Sequence, residues 1–98
     1  MSRAKLSPQA RVDLLEIWHY IAQNSLQNAD FVWNDIKAGI RLLAQMPGLG
    51  HSRSDVDDQR LRFWLVHSYL IACLPNPTPI RIVRIVSGHR DFTQVFKI

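Results

Sequence analysis

The sequence holds one cysteine, at position 73, and only four glycines in 98 residues. A lone thiol forms no internal disulfide, so the fold has to be held by its core rather than by cross-links. Cys73 lies inside the apolar run YLIACL. It is expected to be a buried, reduced thiol, because a nucleophilic cysteine needs an electropositive, partly exposed setting. No apolar run approaches the ~20 residues that span a bilayer. The opening MSRAKLSPQA has no apolar core of a secretory leader. The expectation is a cytoplasmic protein without membrane association. The four histidines, at 19, 51, 67 and 89, have no partner four residues away and no cysteine pair beside them, so no metal site is expected. The acidic run DVDD at 55–58 has no second carboxylate cluster to work with and reads as a solvated loop. PGLG at 47–50 follows a helical pattern, whereas a phosphate-cradling loop follows a strand. No cofactor is expected.

What is present describes a small folded domain. The hydrophobic share of 47% against 20% charged residues excludes a disordered chain. The length leaves room for one core, so residues 1–98 are expected to form one domain. Twelve Lys and Arg against eight Asp and Glu give a net charge of +4, most of it from arginine. A basic surface suits a polyanion or an acidic protein partner.

Ser7-Pro8 is a helix start, with Ser7 as N-cap and Pro8 at the first helical position. Ala10, Leu14, Ile17, Trp18 and Ile21 then recur at helical spacing. Gln23-Asn24-Ser25 interrupts the pattern, and Ser25 can cap a second helix over Leu26–Met46, with a stripe of Ala29, Val32, Trp33, Ile36, Ile40 and Leu43. Pro47-Gly48 stops it. The short break predicts an antiparallel helical hairpin. Phe31, Ala38 and Leu42 lie on the side away from the main stripe, which makes them either a wrapped core contact or a surface for a partner.

Residues 51–59, HSRSDVDDQ, read as a loop. RLRFWLV (60–66) and YLIACL (69–74), separated by His67-Ser68, predict a hairpin of strands. PNPTP (75–79) cannot continue a ladder, and IRIVRIVS (80–87) predicts a third strand. Strict alternation puts Ile80, Ile82, Arg84 and Val86 on one face, and Arg81, Val83, Ile85 and Ser87 on the other. AKL at 4–6 is long enough for a short edge strand. The predicted fold is α+β: an N-terminal helical hairpin packed on one face of a small antiparallel sheet. The other face is expected to be partly open and to carry arginines.

Chemistry concentrates in a basic group around the strands: Arg60, Arg62, His67, Arg81, Arg84, His89 and Arg90. Metal-independent RNA cleavage needs proton transfer and cations on the phosphate. His89 or His67 with Arg84 or Arg90 supplies those residue types. The same residues on an open sheet face suit nucleic acid or an acidic protein, or simply stay solvated.

Four stretches in order carry a resemblance. LSPQA opens helix one and IWHYIA closes it, helix two ends LLAQMPGLG, and IRIVRIVSGHRD follows the last turn. Together they resemble the ParE branch of the RelE/ParE superfamily, the toxins of bacterial type II toxin–antitoxin modules, also called plasmid stabilization proteins. The resemblance implies a helical hairpin on a small sheet and a cognate ParD-like antitoxin. That antitoxin would be a ribbon-helix-helix DNA-binding protein whose C-terminal segment wraps the toxin, so operator DNA is met only through it. RelE-like members cut mRNA on the ribosome, whereas ParE-like members poison DNA gyrase. RelE-like nucleases resemble this chain around SGHRDFTQVF, and Arg90 matches an arginine they use. However, Phe96 stands where they place a tyrosine, and Leu70 stands where an arginine follows their tyrosine. Phenylalanine transfers no proton and leucine binds no phosphate. The resemblance therefore implies a gyrase-inhibiting toxin that acts by binding, with the mRNA endonuclease as the alternative, for which His89, Arg90 and Arg84 would be catalytic. The expected antitoxin-binding residues are Phe31, Leu42, Arg62, Trp64 and Arg84. The expected target-binding residues are Arg81, His89 and Arg90.

Overall fold

A computed structural model describes residues 3–88 and 96. Its elements are β1 (Ala4–Leu6), α1 (Pro8–Ala22), α2 (Leu26–Gln45), a 3-10 turn over Pro47–Leu49, β2 (Arg62–Val66), β3 (Tyr69–Leu74) and β4 (Ile80–Ser87). The strands form one four-stranded sheet in the order β1-β4-β3-β2. β2, β3 and β4 are mutually antiparallel, whereas β1 pairs with β4 in parallel. The sheet is therefore mixed, which corrects the all-antiparallel expectation. A strand that re-enters beside β1 after the hairpin and the β2–β3 meander can run parallel to it, because the long crossover between them allows it.

Both helices start as their capping serines dictate. Ser25 Oγ accepts the Asn28 N–H at 3.1 Å, and Ser7 Oγ accepts the Ala10 N–H at 3.0 Å. Ser7 has a second task. β1 ends at Leu6, so the rest of β4 has no strand neighbour on that side, and α1 supplies one. The Ser7 amide donates to the Ile82 carbonyl at 2.9 Å, and its hydroxyl donates to the Val83 carbonyl at 2.7 Å. Ser7→Ala is expected to cost about 1–2 kcal/mol, and Ser7→Asp to recover only part of it, because aspartate caps but cannot donate to Val83. Thermal unfolding of the two variants checks this, and an unchanged midpoint for Ser7→Ala would contradict it.

On the helix side of the sheet, Ala10, Leu14, Ile36, Ile40 and Leu43 pack on Ile71, Cys73, Ile80, Ile82 and Ile85. Gly39 lets α2 approach β2: a Cβ there would sit 2.9 Å from Val66 Cγ2 and 3.4 Å from Ile71 Cδ1. The expected alternation of β4 fails in its second half. Cys73 pairs with Ile82 but Ala72 pairs with Arg84, so Val83 is an extra residue in the ladder. An inserted residue moves the following side chains to the opposite face. Ile85, not Val86, consequently joins the helix-side core, and Val86 joins the core beneath the sheet.

That second core is the other correction. Val56, Leu61, Phe63, Leu70, Ala72, Val86 and Phe96 form a buried cluster on the sheet face away from the helices. The face is closed rather than open and arginine-bearing. Three of its members come from outside the strands: Val56, in the middle of the polar loop, Leu61, just before β2, and Phe96, whose ring meets that of Phe63 edge-on at 5.5 Å.

Candidate interaction site

α2 lies along the outer strand β2, and their shared margin gathers most of the residues expected to bind the antitoxin. At one end Phe31, 60% exposed, stands edge-on to His67 at 5.7 Å between ring centroids. His67 occupies the tight turn between β2 and β3, with φ 53°, and its Nε2 lies 2.6 Å from an Asp35 carboxylate oxygen. In the middle, Gly39 faces Val66 and Trp64. Trp64 is half-buried against the helix-side core and stacks on His51 at 6.1 Å. Leu42, also half-buried, follows on α2. Arg62 begins β2, and its guanidinium donates to the Gln59 and Leu61 carbonyls at 2.7 and 2.9 Å. The second face of α2 is thus mostly surface: Phe31 and Ala38 are exposed, and Leu42 is half-buried.

β2 also has an unpaired backbone edge. His51 and Phe63 exchange two backbone hydrogen bonds, of 2.9 and 2.8 Å, on the side away from β3. Residues alternate along an antiparallel ladder, so the Leu65 N–H and C=O point to the same outer side. No partner there is found among the described residues. The Leu65 side chain is 60% exposed.

Arg84 is apart from this margin. It lies on β4, and its guanidinium grips the Asp13 carboxylate, Nε at 2.7 Å and Nη2 at 3.1 Å. Asp13 also accepts the Ile85 amide at 3.0 Å and the Gln9 side-chain amide at 3.0 Å. Burial alone would push the Asp13 carboxyl upward. The hydrogen bonds from Arg84, Ile85 and Gln9, with the arginine's charge, outweigh it and hold the carboxyl below its ordinary value. Arg84 is therefore committed to α1. Asp13 was absent from the expected site residues, yet a signal existed: a carboxylate beside Leu14 in an apolar stripe, and an arginine placed among the inward residues of a strand.

Arg81 is exposed at the start of β4. Ser87 is six residues further along, roughly 20 Å at strand rise. His89 and Arg90 lie outside the described residues. Near the end of β4 a cleft of about 490 Å³ is walled by Asp13, Glu16, Tyr20, Tyr69 and Ser87. Burial, with Tyr20 adding to it, raises the Tyr69 phenol above its ordinary value. Among the described residues that line it, Asp13 is already paired with Arg84 and Glu16 adds a negative charge, so none of them attracts phosphate. Elsewhere, burial pushes the Cys73 thiol up to about 11, against a weaker downward pull from Arg62, so it is a packed side chain without thiolate character. Arg60 grips Asp58 and holds its carboxyl down at about 2. Among the described residues no three His, Cys, Asp or Glu side chains gather where they would hold a metal ion, and no helix is long and apolar enough to cross a membrane.

A helical hairpin on a four-stranded sheet, with an unpaired edge strand beside an exposed aromatic, defines a small α+β protein. The family comparison is specific. Residues 4–92 match the family described as "ParE toxin of type II toxin-antitoxin system, parDE", and the chain belongs to that family. Among solved structures, a chain titled "Chromosomal ParDE TA system from P. aeruginosa" has a similar fold, with TM-score 0.72 at 22% identity over 89% of this chain and 96% of that one. No curated protein matches the chain in sequence.

Proposed function

We propose that this ParE-family toxin inhibits DNA gyrase by binding it and is neutralised by a ParD-like antitoxin seated along the α2–β2 margin. The observation that supports the antitoxin surface is the coincidence of the free Leu65 edge with exposed Phe31 and half-buried Trp64 and Leu42. An extended segment can pair with such an edge while its alternate side chains enter pockets beside it. A ribbon-helix-helix antitoxin would carry that segment at its C-terminal end and hold the operator with its N-terminal half.

Binding rather than RNA cleavage is favoured by Phe96. It is 8% exposed and packed on Phe63, so the position filled by a catalytic tyrosine in RelE-like nucleases serves the core here.

Phe31→Ala combined with Leu42→Ala is expected to weaken the toxin–antitoxin complex at least tenfold, since truncating aromatic and aliphatic anchors costs about 1–2 kcal/mol or more each. Calorimetric titration with the product of the neighbouring reading frame measures it. Unchanged affinity with the variant folded would place the antitoxin elsewhere.

A further inference from the structure

We infer that a second, independent docking site lies at the opposite margin of the sheet, between β1 and α2, and that it takes an acidic peptide segment carrying an apolar anchor. A cleft of about 380 Å³ opens there. Its wall is aliphatic, with Leu6 from β1, Leu14 from α1 and Ile40 from α2, and its rim is cationic, with Arg3, Lys37 and Arg41. No carboxylate lines it.

The arrangement of charge is what identifies the partner. Lys37 and Arg41 are one turn apart on α2, where like charges repel and destabilise a helix. No acidic residue of α2 stands three or four positions from either to relieve them. Four carboxylates have partners elsewhere: Asp13 holds Arg84, Asp55 holds Arg53, Asp58 holds Arg60, and Asp35 faces His67. Among the described residues, the Lys37 ammonium has no ion-pair partner and stands over the Trp33 ring at 5.7 Å. Arg3 and Arg41 have no ion-pair partner among the described residues. An unrelieved cationic rim is complementary to an external anion.

The aliphatic wall decides which kind of anion. Leu14 and Ile40 form its floor as part of the core, and a nucleic-acid backbone would neutralise the rim but would leave the half-buried Ala4 and Leu6 uncovered. A peptide with a leucine-like side chain between carboxylates satisfies both parts. β1 is also the outermost strand on this side, bonded only to β4, so an extended segment can align beside it.

The test uses the full chain and a fluorescein-labelled peptide, Glu-Glu-Leu-Glu-Leu-Glu-Glu. Two controls are the same peptide with serines for leucines and a single-stranded thymidine oligonucleotide. Binding is followed by fluorescence anisotropy and by amide chemical shifts. The leucine peptide is expected to bind at least tenfold more tightly than the serine peptide, with shifts confined to residues 4–6 and 37–44. Lys37→Glu with Arg41→Glu, both at exposed helix positions, should weaken it at least tenfold while the melting curve stays in place. Phe31→Ala should leave it unchanged, which separates this site from the α2–β2 margin. Equal binding of the serine peptide or the oligonucleotide would reduce the site to general polyanion attraction and overturn the inference. So would indifference to the charge reversal, shifts elsewhere, or no binding.

Discussion

Asp13→Ala is expected to destabilise the fold by about 3 kcal/mol or more, the largest effect of any single polar substitution among the described residues. The carboxylate is 5% exposed and meets four hydrogen-bond donors. Its removal strands the Arg84 guanidinium, which retains only 23% exposure, and leaves the Ile85 amide without its acceptor. Breaking a buried pair by deleting one partner costs about 3–5 kcal/mol, and some residual hydration of Arg84 places this case toward the lower end. Because small domains are stable by only about 5–15 kcal/mol, the variant should melt many degrees below the parent or be partly unfolded. Deleting both partners, Asp13→Ala with Arg84→Ala, should cost less than the sum of the single changes, since no charge is then abandoned. Urea titration of the four proteins measures the coupling. Strict additivity would mean that the pair is ornamental.

The same contact predicts a pH dependence. The folded Asp13 carboxyl sits below its ordinary value of 3.8. The stability it contributes is therefore complete above pH 4 and is lost as pH falls through the lower, folded value. Between pH 5 and the acid range the parent should lose stability more steeply than Asp13→Asn, which no longer titrates there.

Phe96→Ala is expected to cost about 3 kcal/mol, near the bottom of the ~3–5 kcal/mol range for emptying a phenylalanine site in a core. The ring is 8% exposed and closes the second core against Phe63, from a position nine residues beyond the end of β4. Its loss opens a cavity beside Leu70, Ala72 and Val86. Urea titration should show the lower midpoint. Wild-type stability would mean that the Phe96 ring adds nothing to the second core.

The helices were the most legible part of the sequence. Ser7-Pro8 and Ser25 are local capping signals, and the apolar stripes of α1 and α2 repeat long enough to fix their buried faces. The strands were legible as elements but not as a sheet. Three residues of β1 carry no information on direction, so the parallel pairing with β4 is set by topology alone. The extra residue at Val83 leaves no mark in IRIVRIVS, where both faces are β-branched and apolar at intervals. Closure of the second sheet face depends on Val56, alone in a polar loop, and on Phe96, far down the chain. Neither shows periodicity. At the candidate site, Phe31 was readable as an apolar residue on the wrong side of its helix. The free edge at Leu65 was not, because it depends on which side His51 pairs. Arg84 looked like a surface cation only so long as Asp13 was overlooked.

The most direct test of the proposed function is a supercoiling assay with purified DNA gyrase, relaxed plasmid and the folded chain. Inhibition by binding predicts that supercoiling falls, or that cleaved plasmid accumulates, in proportion to added toxin. It also predicts that an equimolar amount of the antitoxin encoded beside the toxin restores activity. Full supercoiling at a large molar excess of folded toxin would contradict it.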